Sequence, residues 1–191
     1  MIVFVDMDGV AADIIPYWLY RYNTDFQDDL SYEDITCWGL EKLVKPLCGE
    51  HIRDYLDDPG FFAKARVIDG SIDALRDISD KGHKVYFATH TPETSRTAYY
   101  EKCTWADRHF PFIGGDHVIA VKDKSVLLGD VLIDDKPENL IAFQGRRVLY
   151  DQPWNRSFLE GASWFTQYAV KRGKDWLEAK KIILSCDNSK C

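Results

Sequence analysis

The sequence of 191 residues predicts an α/β fold: a parallel sheet of five strands with helices on both faces, and a small helical cap inserted after the first strand. Three observations lead there. Short apolar runs rich in β-branched residues alternate with amphipathic stretches. The aromatic-rich segment 14–66 interrupts that alternation early, so the core is read as 1–13 plus 67–191 and the cap as 14–66. Four of the apolar runs lead directly into polar groups, which places those groups at one edge of a parallel sheet.

Taken in order, Ile2 to Val5 has the character of a buried parallel strand and ends in Asp6, then Asp8 and Gly9. Pro16 to Tyr22 opens a helix with proline in its first turn. Ser31 to Asp34 resembles a capping box, Glu50 to Leu56 reads as another helical piece, and Asp57-Asp58-Pro59-Gly60 is a turn. Ile72, Leu75 and Ile78 mark one face of a helix that Lys81-Gly82 ends. Lys84 to Ala88 is a second strand, leading into Thr89, and Thr94 to Phe110 a helix. Val118 to Val121 and Val131 to Ile133 are the third and fourth strands, the latter leading into Asp134-Asp135. Glu138 to Phe143 is helical, Arg147 to Tyr150 is the fifth strand, and Lys174 to Leu184 is a closing amphipathic helix. Cys186 to Cys191 reads as a frayed polar end.

Composition narrows the partners. A net charge of −7 argues against a polymeric nucleic acid, which needs a basic groove, but leaves room for one small anion in a locally positive pocket. Five widely spaced cysteines with no Cys-x-x-Cys pair argue against zinc and suit free thiols in a reducing cytoplasm. No signal peptide or membrane span is predicted, and so no membrane partner. Aromatic residues make up 14% of the chain, enough to fill a core and still line a pocket for a flat ligand.

The candidate chemistry sits at the strand ends. In extended chain, residues two apart point the same way, so Asp6 and Asp8 can aim into one crevice. Two close carboxylates repel, and a hard cation such as Mg²⁺ with oxygen ligands relieves that. One carboxylate would attack while the other handles protons; the alternative is a turn with two solvated aspartates. Thr89 either faces the crevice or caps the next segment, and Asp134-Asp135 either act there or cap the helix begun near Pro137. Lys122 and Lys124 are either anion-binding groups or ordinary surface lysines.

The order Asp6-x-Asp8-Gly9, then Thr89, then Lys124, then Asp134-Asp135 resembles the haloacid dehalogenase superfamily of phosphotransferases. The stretches Asp6 to Asp13, Ala88-Thr89 with Pro92, Lys122 to Ser125 and Gly129 to Asp135 are similar to the motifs of its 5′(3′)-deoxyribonucleotidase family, and Phe61-Phe62 before Gly70 resembles that family's cap–core junction. The resemblance implies a Rossmann-like three-layer sandwich and a Mg²⁺-dependent phosphatase of deoxyribonucleoside monophosphates. It implies Asp6 as nucleophile, Asp8 as acid and base, and Asp6, Asp8 (through its backbone carbonyl) and Asp134 as metal ligands. It further implies Thr89, His90 and Lys124 on the phosphate, Asp135 behind the metal, and Lys122, Phe61 and Phe62 near the substrate. The expected partner is a nucleoside monophosphate, with a homodimer admitted. His90 stands where the family commonly has serine, and Ile14 where it often has an aromatic. A phosphorylated sugar or a nucleic-acid end is the alternative substrate class, and an idle binding module on the same fold the alternative function.

Overall fold

The structure, a computed structural model, describes residues 1–158 and 163–185; the expected frayed end, Cys186 to Cys191, lies outside them. The strands in chain order are β1 (Ile2–Val5), β2 (Ala12–Asp13), β3 (Arg66–Val67), β4 (Lys84–Thr89), β5 (Val118–Ala120), β6 (Val131–Asp134), β7 (Arg146–Tyr150) and β8 (Val170–Gly173). The helices are α1 (Ile15–Phe26), α2 (Ser71–Asp80), α3 (Ala98–His109), α4 (Pro137–Ala142), α5 (Ser163–Gln167) and α6 (Trp176–Leu184).

The main sheet runs β5-β4-β1-β6-β7-β8, parallel throughout, with Val3 opposite Val85 on one side and Val131 on the other. It has six strands, where the sequence predicted five. The strand missed is β8, Val-Lys-Arg-Gly, which pairs only with β7 at the sheet's edge. An edge strand with two cationic side chains shows neither an apolar run nor clean alternation, so periodicity passes over it. Several ends also shift: the helix expected from Thr94 begins at Ala98, and that expected from Glu138 begins at Pro137.

Strand periodicity builds the layers. Val3 and Val5 pack on one face with Leu75 and Ile78 of α2, Trp105 of α3 and Ile183 of α6. Phe4 points the other way, into a cluster with Leu132, Leu140, Phe143 and Leu149. Val3, Val5, Leu132 and Ile133 are fully shielded from solvent, each contributing about 1.5–3 kcal/mol of apolar burial.

β2 and β3 form a two-stranded antiparallel ribbon, Ala12 opposite Val67 and Asp13 opposite Arg66, at the two ends of segment 14–66. Within that segment, Ile15, Leu19 and Tyr22 of α1 pack against Ile35, Leu40, Val44 and Ile52. The expected helical piece at Glu50 to Leu56 is a 3₁₀ helix over Gly49–Asp57, and Ser31 and Asp34 close the anticipated capping box on a short 3₁₀ turn. No helix among the described residues is long and apolar enough to cross a membrane.

Candidate active site

The chain runs from β1 to β4 and β5 on one side of the sheet, then crosses back to β6 on the other. A parallel sheet opens a crevice beyond its carboxyl ends where the winding reverses. Asp6 follows β1 directly, and its N–H donates to the Ile133 carbonyl at 2.9 Å, holding it beside the end of β6. Asp134 ends β6 and is fully buried.

Behind Asp6 the backbone folds back sharply. The Met7 carbonyl accepts from the Ala11 and Ala12 amides at 2.9 and 2.7 Å, and the Gly9 amide donates to the Ala12 carbonyl at 2.8 Å. Gly9 has φ +79°, and a Cβ there would lie 2.6 Å from Asp135 Oδ2 and 3.1 Å from Trp154 Cζ2. A side chain at residue 9 therefore meets both a left-handed backbone penalty and a steric one. Gly9→Ala is expected to lose about 2–3 kcal/mol, seen as a fall in Tm of about 5–10 °C by thermal denaturation.

Two lysines reach into the carboxylates from different elements. Lys124 opens a 3₁₀ turn capped by Asp123, whose Oδ1 accepts from the Ser125 amide at 2.9 Å. Its Nζ lies 2.8 Å from Asp6 Oδ1 and donates to Asp134 Oδ2 at 2.5 Å. Asp134 also accepts from the Lys136 amide at 2.8 Å and from Asn139 Nδ2 at 3.1 Å on both oxygens. Burial opposes the charge on Lys124, but the Asp134 and Asp6 carboxylates outweigh it and hold its pKa above the ordinary lysine value.

Lys102 is the second, and the sequence reading missed it. It is 1% exposed; its Nζ donates to Asp8 Oδ2 at 2.5 Å, to Thr89 Oγ1 at 2.7 Å and to the His90 carbonyl at 2.9 Å. Its ammonium also lies 4.4 Å from the centre of the Phe62 ring. A signal existed: Lys102 falls on the stripe Ala98, Lys102, Trp105, Ala106 of α3, all buried, where a lysine is out of place unless paired. Burial raises the Asp8 pKa, with Lys102 pulling it back down.

Asp135 is 1% exposed, and its Oδ2 accepts from Trp154 Nε1 at 2.7 Å. Burial, then the charges of Asp134 and Asp6, push its pKa well above the carboxylate range. Oxygens of Asp6, Asp134 and Asp135 all lie within 4.8 Å of one another. Three acidic groups against the one ammonium of Lys124 leave a surplus of acid, which burial and mutual repulsion make hard to ionise fully without a further cation. That surplus, on hard oxygen donors only, fits one divalent cation of the Mg²⁺ type.

A cavity of about 450 Å³ opens onto these groups. Asp6, Asp8, Lys124 and Asp135 line its floor, His90 and Lys122 one flank. Trp18, Ile35, Trp38 and Leu40 form an apolar wall, with Glu41 and Arg53, ion-paired at 2.8 Å, beside it. Burial, then the nearby Lys102 and Lys122 charges, lower the His90 imidazole pKa and favour its neutral form. Lys122 stays at the rim, 74% exposed, its Nζ 2.6 Å from Glu93 Oε1.

Three expected residues sit behind the cavity wall rather than on it. Thr89 is fully buried, with its hydroxyl against Lys102. Asp134 is fully buried and meets Asp6 through their shared contact with Lys124. Phe61, placed near the substrate by the sequence reading, is instead a core residue: it is 1% exposed, packs on Tyr17, Trp18 and Phe62, and does not line the cavity. Apolar neighbours on every side explain its position. Phe62 alone of that pair reaches the cavity, and both are anchored through Glu101, which accepts from the Gly60 amide at 2.6 Å and the Phe62 amide at 3.0 Å.

Residues 1–188 match the model of the family described as 5′ nucleotidase, deoxy (pyrimidine), cytosolic type C protein. A 5′(3′)-deoxyribonucleotidase of Clostridium acetobutylicum is 31% identical over 185 residues, spanning 95% of this chain and 93% of that protein. One of Bacillus subtilis (strain 168) is 30% identical over 169 residues, spanning 85% of this chain and 94% of that protein. Among solved structures, a HAD family hydrolase from Deinococcus radiodurans R1, with bound phosphate and sodium, has a TM-score of 0.58 at 14% identity and covers 96% of this chain and 94% of its own. That last likeness is one of fold.

Proposed function

Because this chain belongs to the 5′(3′)-deoxyribonucleotidase family of the haloacid dehalogenase superfamily, and is thereby a phosphoric monoester hydrolase, we propose that it removes phosphate from deoxyribonucleoside monophosphates with Mg²⁺ through an aspartyl-phosphate on Asp6. The observation that carries this reading is the meeting of Asp6, Asp135 and Lys124 on a cavity that also exposes the Lys102-paired Asp8, with Asp134 buried behind them against Lys124.

The residues divide the work. An Asp6 oxygen attacks phosphorus, the bond to the nucleoside oxygen breaks, and Asp8 supplies the proton that this oxygen takes up. Asp8, now a carboxylate held by Lys102, then takes a proton from the water that attacks the same phosphorus and releases Asp6 and inorganic phosphate. Splitting the displacement in two makes each half easier, and the positioned proton carrier contributes about 10²–10⁴-fold. The Lys124 ammonium neutralises charge spread over the phosphoryl oxygens, and His90 borders the same cavity.

Asp6, the Asp8 backbone carbonyl and Asp134 would hold the cation, with Asp135 behind them. Bound there, Mg²⁺ would neutralise charge on the phosphoryl group. The cavity volume is within the range of small-ligand sites, and its wall of Trp18, Ile35, Trp38 and Leu40 suits a flat nucleobase better than a bare sugar. A cytoplasmic setting agrees with the unbonded Cys37, Cys48 and Cys103.

Phosphate release across the deoxyribo- and ribonucleoside monophosphates and a panel of sugar phosphates tests the reading. Deoxyribonucleotides are expected to lead, and chelation by EDTA to abolish release until Mg²⁺ is restored. Activity on sugar phosphates with none on nucleotides would overturn the substrate class. Turnover indifferent to EDTA would overturn the metal.

A further inference from the structure

Trp154 takes no part in the steps above, yet it meets Asp135, Gly9 and Trp38. It sits on a short 3₁₀ turn, Pro153–Asn155, after β7, and it is 4% exposed. Its indole N–H points at Asp135, donating to Oδ2 at 2.7 Å. Its six-membered ring packs near the Gly9 backbone, at the spot where a Cβ would come within 3.1 Å. Its outer side meets Tyr32 and Trp38 of segment 14–66, with ring centres 6.1 and 5.8 Å away.

The turn that carries it is pinned from behind. Asn155 Nδ2 donates to the Asp135 and Tyr150 carbonyls, both at 2.8 Å, and Asn155 Oδ1 accepts from Arg172 Nη1 at 2.7 Å. Gln152 Nε2 donates to the Gly9 carbonyl at 2.6 Å, and Gln152 Oε1 accepts from the Tyr32 hydroxyl at 2.8 Å. The indole thus has its position set on several sides. A buried donor held this firmly can dictate which way a carboxylate faces, because turning Asp135 would strand a buried N–H.

We propose that Trp154 is a positioning residue for the metal site: its N–H fixes the Asp135 carboxylate toward the Asp6–Asp134 pair, and its ring ties that orientation to the seating of segment 14–66. The inference rests on the metal reading above. Groups that orient a metal's carboxylates from outside typically change affinity about 10–100-fold when removed. Trp154→Phe deletes the N–H and keeps an aromatic ring.

The test is a Mn²⁺ titration of the intact protein without substrate, with free ion counted by electron paramagnetic resonance and Mg²⁺ affinity obtained by competition. Trp105→Phe is the control, since it too removes a buried indole N–H, one donated to the Ala65 carbonyl at 2.9 Å away from the carboxylates. Trp154→Phe is expected to weaken Mg²⁺ and Mn²⁺ at least about 10-fold while Trp105→Phe stays within about twofold of wild type. Equal affinities for Trp154→Phe and wild type would overturn the inference and leave the metal reading intact. So would equal weakening by both variants, which would mark a general loosening. No binding by the wild-type protein would take down the metal reading and this inference with it. Should Trp154→Phe fail to fold, 3-benzothienylalanine at position 154, which exchanges the N–H for sulfur in an indole-shaped ring, carries the same comparison.

Discussion

Asp6→Asn protein is expected to release phosphate at least about 10⁴-fold more slowly than wild type, with the fold retained. The substitution keeps the shape of the side chain and removes what the chemistry needs. An amide oxygen does not attack phosphorus as a carboxylate does, and one of three cation-facing acids is lost. The contact with Lys124 at 2.8 Å loses its charge, but Lys124 keeps Asp134 at 2.5 Å and so is not stranded. Near-native circular dichroism beside absent turnover is the expected pair of results. Wild-type rates from pure, folded Asp6→Asn protein would remove Asp6 from the role of nucleophile.

The second large effect is expected at Lys102→Met. Lys102 is the cation that meets Asp8 at hydrogen-bond distance, so the variant leaves a half-buried carboxylate without its partner. With Asp8 a quarter exposed, the stability cost is expected to fall below that of breaking a fully buried pair, about 3–5 kcal/mol. Turnover is expected to fall about 10²–10³-fold, because the proton carrier is no longer held in place. The direction of the pH response separates this from a merely structural loss. Burial raises the Asp8 pKa and Lys102 opposes it, so removing Lys102 raises it further. The limb of the rate profile that needs Asp8 ionised then moves to higher pH. For stability the sign follows from proton binding: with the folded pKa above the unfolded one, the native state holds the extra proton between the two. The contribution of Asp8 to the variant's stability is therefore full below the ordinary carboxylate pKa and is lost as pH rises through the elevated one. Thermal melts across pH 4–8 and a kcat profile check both statements.

These two residues also show what was readable in the sequence. Asp6 and Asp8 announced themselves because a β-branched run stops on them and a glycine follows, and Asp134-Asp135 and Lys124 because they lie at or just beyond strands of the same kind. The structure brings these groups together at one end of the sheet. Lys102 was illegible by that logic, since it comes from the middle of a helix and its meaning depends on which face of α3 is turned inward. Trp154 was illegible for a related reason: a tryptophan in a loop reads as packing until its N–H is seen against Asp135. β8 escaped because a one-sided strand has no need to be apolar on both faces. Its Arg172 nonetheless reaches back to the turn that holds Trp154. The 3₁₀ character of Gly49–Asp57 was likewise beyond periodicity, which separates helix from strand more readily than one helix from another.

Strand β1 is the third of six in spatial order but the first of them in chain order, and its neighbours β4 and β6 begin at Lys84 and Val131. Its apolar segment therefore waits until Lys84 for one flank and Val131 for the other, exposed to mispairing in the meantime. Nascent chains stalled before Val131 should be chaperone-dependent and catalytically silent. Enzymatic output from this polypeptide is consequently a sensitive gauge of completed, long-range assembly.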